Sequence, residues 1–179
     1  MARRAIHYLG SPALREPGHE VGEVTDEVRE LVEDLFETMR AARGIGLAAQ
    51  QVGLALRVAV VDTGEEPGEI VLIDPVIVER EGEVRAEEGC LSIPDVYGDV
   101  DRARQIVVEA TQLDGTRARF EISDLTARAV QHEIDHLDGV LFLDHLSLLK
   151  RKMLLKKWKK LRKDHPEPIE QIDASGASA

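Results

Sequence analysis

The chain has 179 residues, a formal net charge of −11, 43% hydrophobic residues and only 3% aromatic ones. That length suits one domain with a core of Leu, Val, Ile and Ala, and the acidic balance argues against generic nucleic-acid binding, DNA included. The single cysteine excludes an intrachain disulfide, no apolar run approaches membrane-spanning length, and Met1-Ala2-Arg3-Arg4 lacks the apolar stretch of a signal peptide, so a cytoplasmic protein with no membrane partner is expected.

The first element is a helix over residues 26–43, where Val28, Leu31, Val32, Leu35, Phe36 and Met39 recur at helical spacing. Gly44 is placed to cap its C-terminus. The segment it opens, Gly44-Ile45-Gly46-Leu47-Ala48-Ala49-Gln50-Gln51, lacks the Gly-Lys-Ser/Thr of a phosphate loop and holds more than a cap requires. Two glycines would let a substrate backbone lie close, and a glutamine amide can donate to a developing oxyanion. Residues 57–62, 70–78 and 106–113 are β-branched runs that predict strands. Asp114-Gly115 predicts a hairpin turn into a further strand over 116–122. Ser123 is placed as an N-cap with Asp124 in the first turn. Leu125, Ala129, Val130, Ile134 and Leu137 then mark a helix that Gly139 ends.

A last helix spans residues 150–163, bounded by Lys150 and Lys163, with Met153, Leu154, Trp158 and Leu161 as a narrow apolar stripe among Lys and Arg. Strands mostly precede the central helix, which predicts an α+β fold: antiparallel or mixed sheets packed around that helix, plus the C-terminal one. Residues 1–164 are expected to form one catalytic domain and residues 165–179 a disordered tail.

The central helix carries His132-Glu133-Ile134-Asp135-His136. Positions i and i+4 share a helix face, so both histidines can reach one metal ion, and Glu133 can work on a coordinated water without being a ligand. A hydrolytic site of this kind needs a third protein ligand and one open position. Asp138, two positions beyond His136, points elsewhere, whereas Asp144 and His145 are candidates downstream. Upstream stands Cys90, in Glu87-Glu88-Gly89-Cys90-Leu91-Ser92-Ile93-Pro94. A thiolate is a soft ligand suited to zinc or ferrous iron.

Together, Gly44–Gln51, Glu88-Gly89-Cys90-Leu91-Ser92 and Gln131-His132-Glu133-Ile134-Asp135-His136 resemble the three signature motifs of the bacterial peptide deformylases, intact and in order. Val100-Asp101-Arg102 is similar to a shorter family stretch, and the resemblance spans roughly residues 3–163. It implies a metal-dependent hydrolase that removes the formyl group from the N-terminal formyl-methionine of new polypeptides. Cys90, His132 and His136 would bind one divalent ion, iron(II) foremost, with zinc, nickel or cobalt admitted. Glu133 would take a proton from the water and deliver one to the leaving amine. The Leu91 backbone N–H and the Gln51 amide would hold the oxyanion, Ile45 and Gly46 would line the cleft and pair with the peptide, and Glu88 with Arg102 would form a supporting ion pair. Asp135 has two open readings: a partner for a ligating histidine, or a solvent-facing residue. The partners implied are N-formyl-methionyl nascent peptides. The basic helix has two open readings, a solvated basic face or a contact with ribosomal RNA near the exit tunnel, and its narrow apolar stripe argues against a membrane-surface helix. The rival readings are a small metallopeptidase and a ribosome-associated protein without catalysis.

Overall fold

In the computed structural model, the structure describes residues 2–164. The tail expected over residues 165–179 lies outside them. Helix α1 (Asp26–Ala41) is followed by seven strands: β1 (Gly46–Ala48), β2 (Val58–Val61), β3 (Ile70–Glu81), β4 (Val84–Cys90), β5 (Ile93–Arg102), β6 (Gln105–Thr111) and β7 (Arg117–Ser123). Helices α2 (Asp124–Leu137) and α3 (Leu148–Asp164) complete the order. The strands form a five-stranded sheet, β1-β2-β3-β6-β7, and a separate β4-β5 hairpin, with every strand pairing antiparallel. The α+β expectation holds, and the sheets are antiparallel rather than mixed.

The sheet lies between two helices, and the alternation of its strands explains why. In β2 all four residues are buried. Ala59 and Val61 face a cluster with Ala127, Val130, Ile134 and Leu137 of α2, while Val58 and Val60 face one with Leu31, Leu35 and Met39 of α1. Successive side chains of a strand point to opposite faces, so a strand covered on both sides is apolar throughout. A third cluster holds the hairpin: Ile93, Val96 and Val100 of β5 pack with Leu141, Phe142, Leu143 and Trp158. Leu154 and Leu161 join this cluster as expected, whereas Met153 is exposed. Among the described residues no helix is long and apolar enough to cross a membrane.

Local corrections bear on the site. The first helix ends at Ala41, and its left-handed residue is Arg43 (φ 58°), not Gly44. The amide of Arg43 donates to the Arg40 carbonyl and that of Gly44 to the Met39 carbonyl, a Schellman ending in which Gly44 stands one residue beyond the turn. Ser123 occupies the N-cap of α2, but its side chain makes no capping bond. Gly139 does end α2 in the left-handed region (φ 73°), with Val140 N–H donating to the Asp135 carbonyl. Strands β1, β4 and β5 were not expected. In β5 the inward positions are Val96, Gly98, Val100 and Arg102, so a glycine and an arginine interrupt the apolar alternation that marks a strand.

Candidate metal centre

Helix α2 sets His132 and His136 one turn apart, their Nε2 atoms separated by 3.2 Å. Cys90, at the end of β4, brings its Sγ to 3.4 Å from His136 Nε2. All three donor atoms lie within 4.8 Å of one another. Tetrahedral coordination at ordinary bond lengths puts such donors about 3.3–3.6 Å apart, so the donor set fits one ion. None of the other candidates joins it. Asp138 pairs with Arg57 at 2.8 Å, Asp144 with Arg15 at 2.6 Å, and His145 with Asp135 at 2.7 Å. Of the candidate third ligands, only Cys90 stands with the two histidines.

The donor side chains are held from behind. His132 Nδ1 lies 2.9 Å from Glu88 Oε1, which suits an imidazole that offers Nε2 to a metal and Nδ1–H to a carboxylate. Phe142 stacks on the His132 ring at 6.3 Å between centroids. Burial keeps His136 well below its ordinary pKa and so neutral, as a ligand must be. Its Nδ1 is buried without a hydrogen bond among the described residues.

Arg102 grips Glu88 with two bonds of 2.9 Å, so the expected support pair forms. Burial alone would raise the Glu88 carboxyl, but the bonds from Arg102 and His132 outweigh it and hold the group well below the usual carboxylate range. Asp135 fits neither of its two readings. It accepts from Arg102 at 2.5 Å and from His145 at 2.7 Å, and so steadies the arginine rather than a ligand.

Glu133 is 4% exposed, and its Oε2 has no hydrogen-bond partner among the described residues. Burial pushes its carboxyl up to about 7, His132 opposing the rise and Glu88 adding to it. It stands against Gly46, where a Cβ would lie 2.5 Å from Oε1 and 2.9 Å from Cδ. A Cβ on Gly44 would meet Leu91 Cδ1 at 2.6 Å. The two glycines thus make room for Glu133 and Leu91, which is a different reason for their size from the one the sequence offered.

Gln51 is buried, and its Oε1 accepts from the Ala48 amide at 2.9 Å. That bond turns Nε2 toward Ser92 Oγ (3.1 Å) and Cys90 Sγ (3.6 Å). Gln51 and Cys90 open on a cleft of about 580 Å³ that Ile45, Leu91, Tyr97 and Leu125 also line. Strand β1 is an edge of the five-stranded sheet, so Ile45 and Gly46 border the cleft beside a strand with one open side.

Sequence reading missed Arg128 and Ser92. Arg128 donates to Glu88 Oε2 at 2.6 Å, and Ser92 accepts from Gln51. Arg128 was findable, because it precedes His132 by four residues on the same face of α2. Gln131 was within the motif but without a role: its amide pairs both ways with the Ala103 backbone, at 3.0 and 2.9 Å, and ties α2 to the end of β5.

The family model for polypeptide deformylase matches residues 3–152. A peptide deformylase of Acidobacterium capsulatum is 46% identical over 166 residues, covering 91% of this chain and 98% of its own. One from Alkalilimnicola ehrlichii is 51% identical over 163 residues, covering 90% and 92%. The crystal structure of a peptide deformylase from Legionella pneumophila superposes with a TM-score of 0.87 at 41% identity, over 93% of this chain and 99% of that one. That of the Ehrlichia chaffeensis enzyme in complex with actinonin gives 0.85 at 36%, over 91% and 99%.

Proposed function

We propose a residue-level mechanism from the premise that this chain belongs to the polypeptide deformylase family. The family's enzymes are metallohydrolases that remove the N-formyl group of nascent polypeptides, and that is the activity of this chain. In our reading Cys90, His132 and His136 hold the ion. A divalent ion in that position supplies Lewis acidity, acidifying water and polarising the formyl oxygen. We assign iron(II) as the cellular ion on the family resemblance, with zinc, nickel and cobalt as ions the same donors accept.

Ile45 and Gly46 position the peptide by main-chain pairing along the open side of β1. Water attacks the formyl carbon as Glu133 takes its proton. Gln51 Nε2, preset by the Ala48 amide, and the Leu91 N–H receive the charge that forms on the formyl oxygen. When the C–N bond breaks, Glu133 passes its proton to the amine nitrogen, and formate and a free amino terminus leave. The observation that carries this reading is the convergence of one thiol and two imidazoles within 4.8 Å, beside a buried carboxylate one of whose oxygens has no partner among the described residues. We further read the basic face of α3, with Lys150 and Lys163 at its ends, as a salt-sensitive contact with ribosomal RNA near the exit tunnel.

The test is release of formate from formyl-Met-Ala-Ser by anaerobically purified protein, with acetyl-Met-Ala-Ser as control. Turnover lost on chelation and in Cys90→Ser is the expected result. Turnover that persists in Cys90→Ser after exhaustive chelation would refute the ligand assignment.

A further inference from the structure

We infer that Arg128 is a positioning residue that fixes the spacing between Cys90 and the histidine pair, and so sets how tightly the site retains its metal. The inference rests on the reading of Cys90, His132 and His136 as metal ligands. Arg128 lies on α2 one turn before His132, and its side chain is 10% exposed. It sits between core residues of the helix, Ala127, Ala129 and Val130. Burying a guanidinium there is costly unless its donors are used.

They are used, and every acceptor belongs to the hairpin that carries Cys90. NH1 donates to Glu88 Oε2 at 2.6 Å and to the Val100 carbonyl at 2.9 Å, and NH2 donates to the Val84 carbonyl at 2.6 Å. One side chain thus ties α2 to the first residue of β4, to Glu88 near its end, and to β5 across from it.

The bond to Glu88 completes a cage. Oε1 accepts from His132 Nδ1 and Arg102 NH2, and Oε2 from Arg102 Nε and Arg128 NH1. A carboxylate offers about four lone-pair positions, and all four are filled. Arg102 reaches this carboxylate from β5, whereas Arg128 reaches it from α2. Among the described residues only Arg128 and His132 reach the carboxylate directly from the helix that bears the histidines, Arg102 being joined to that helix at one remove through Asp135. Without Arg128 the carboxylate can rock about Arg102, carrying the His132 ring with it, while the hairpin loses two further ties to α2.

The experiment uses the full chain loaded with cobalt(II), in parent, Arg128→Met and Arg128→Lys forms. Cobalt release into excess chelator is followed through the thiolate–cobalt absorption, and each variant's melting temperature is recorded. Loss of an outer partner of a metal ligand costs 10–100-fold in affinity, so R128M should release cobalt about tenfold faster, with a shifted absorption band. R128K should fall between, because an ammonium keeps the charge but cannot reproduce the planar fork. Release at the parent rate in both variants, whatever their melting temperatures, would overturn the inference and leave Arg128 a structural staple. If R128M does not fold, R128K decides alone: faster release supports the inference and parental release overturns it. A parent chain that takes up no cobalt would overturn the ligand assignment and this inference with it.

Discussion

Replacing Gly46 by alanine should cripple turnover through a single methyl group. Gly46 does not need a glycine's backbone: its φ is outside the left-handed region, and it sits in an ordinary antiparallel pairing with Val61. What it lacks is space. The added Cβ would fall 2.5 Å from Glu133 Oε1 and 2.9 Å from both Cδ and Cγ. Comfortable contacts begin near 3.4 Å, so the carboxylate and β1 must separate by about 0.9 Å. Glu133 is 4% exposed and lines the cleft beside His132, so the displacement moves the carboxylate from its place there or shifts the strand beside it. A misplacement of about 1 Å can cost 10²-fold in rate, or about 2.7 kcal/mol of barrier. Overpacking should also destabilise the fold by about 1–3 kcal/mol, visible as a fall of several degrees in melting temperature. The assay is steady-state formate release from formyl-Met-Ala-Ser, with cobalt uptake checked in the same preparation. Gly44→Ala is the control, because its Cβ meets only the far end of the Leu91 side chain, which can rotate away. A G46A enzyme with half the parent's kcat/KM or more would refute the placement of Glu133 as the proton carrier.

Glu133→Gln should lower kcat by roughly 10²–10⁴-fold while cobalt still binds one to one, and retained turnover would show that another group moves the proton. Gln51→Ala removes one oxyanion donor and should cost about 10²–10³ in kcat with KM little changed; a change confined to KM would make Gln51 a binding residue only. Asp144 offers a stability test away from the metal. Burial alone would raise its carboxyl, but Arg15 and the Leu141 amide bring the net value below the ordinary 3.8. A carboxyl depressed on folding stabilises the fold above its unfolded value and loses that contribution as pH falls through the folded one. Asp144→Asn should therefore melt lower than the parent at neutral pH, with the gap closing in acid below the ordinary aspartate range. A gap independent of pH would mean that the loss is one of packing.

The parts of the fold that were legible share one physical property: a single period over a long enough run. Helix α1 repeats its apolar residues every three to four positions, and β2 is an unbroken apolar run because helices cover both of its faces. The β4-β5 hairpin was illegible for the opposite reason. Most of β4 is exposed or half-exposed, and the buried positions of β5 include Gly98 and Arg102, residues that a hydrophobic pattern cannot register. Gly44 illustrates a different limit. A glycine after a helix reads as its left-handed cap, yet Arg43 takes that conformation and Gly44 is small because Leu91 lies against it from another element.

The site shows the same division more sharply. Cys90, His132, Glu133 and His136 stand in motifs, and the structure brings the three donor atoms within 4.8 Å of one another, with Glu133 lining the same cleft as Cys90 and His132. What steadies them follows from two spacing rules that only the docking of hairpin on helix connects. Arg128 and His132 share a face of α2 because they are four apart, and Glu88 lies two before Cys90 on β4. Each relation is visible in the chain alone, but neither says that these two faces meet. That meeting depends on the third core cluster, where Phe142 and Trp158 from the last quarter of the chain close over β5 and Phe142 also stacks on His132. A substitution such as Phe142→Ala should therefore act on the metal centre as well as on stability. A buried Phe truncation costs about 3–5 kcal/mol. Cobalt release from the folded fraction should quicken with it, because the ring that braces His132 is gone. If that fraction released cobalt at the parent rate, the brace would be Glu88 and its two arginines alone.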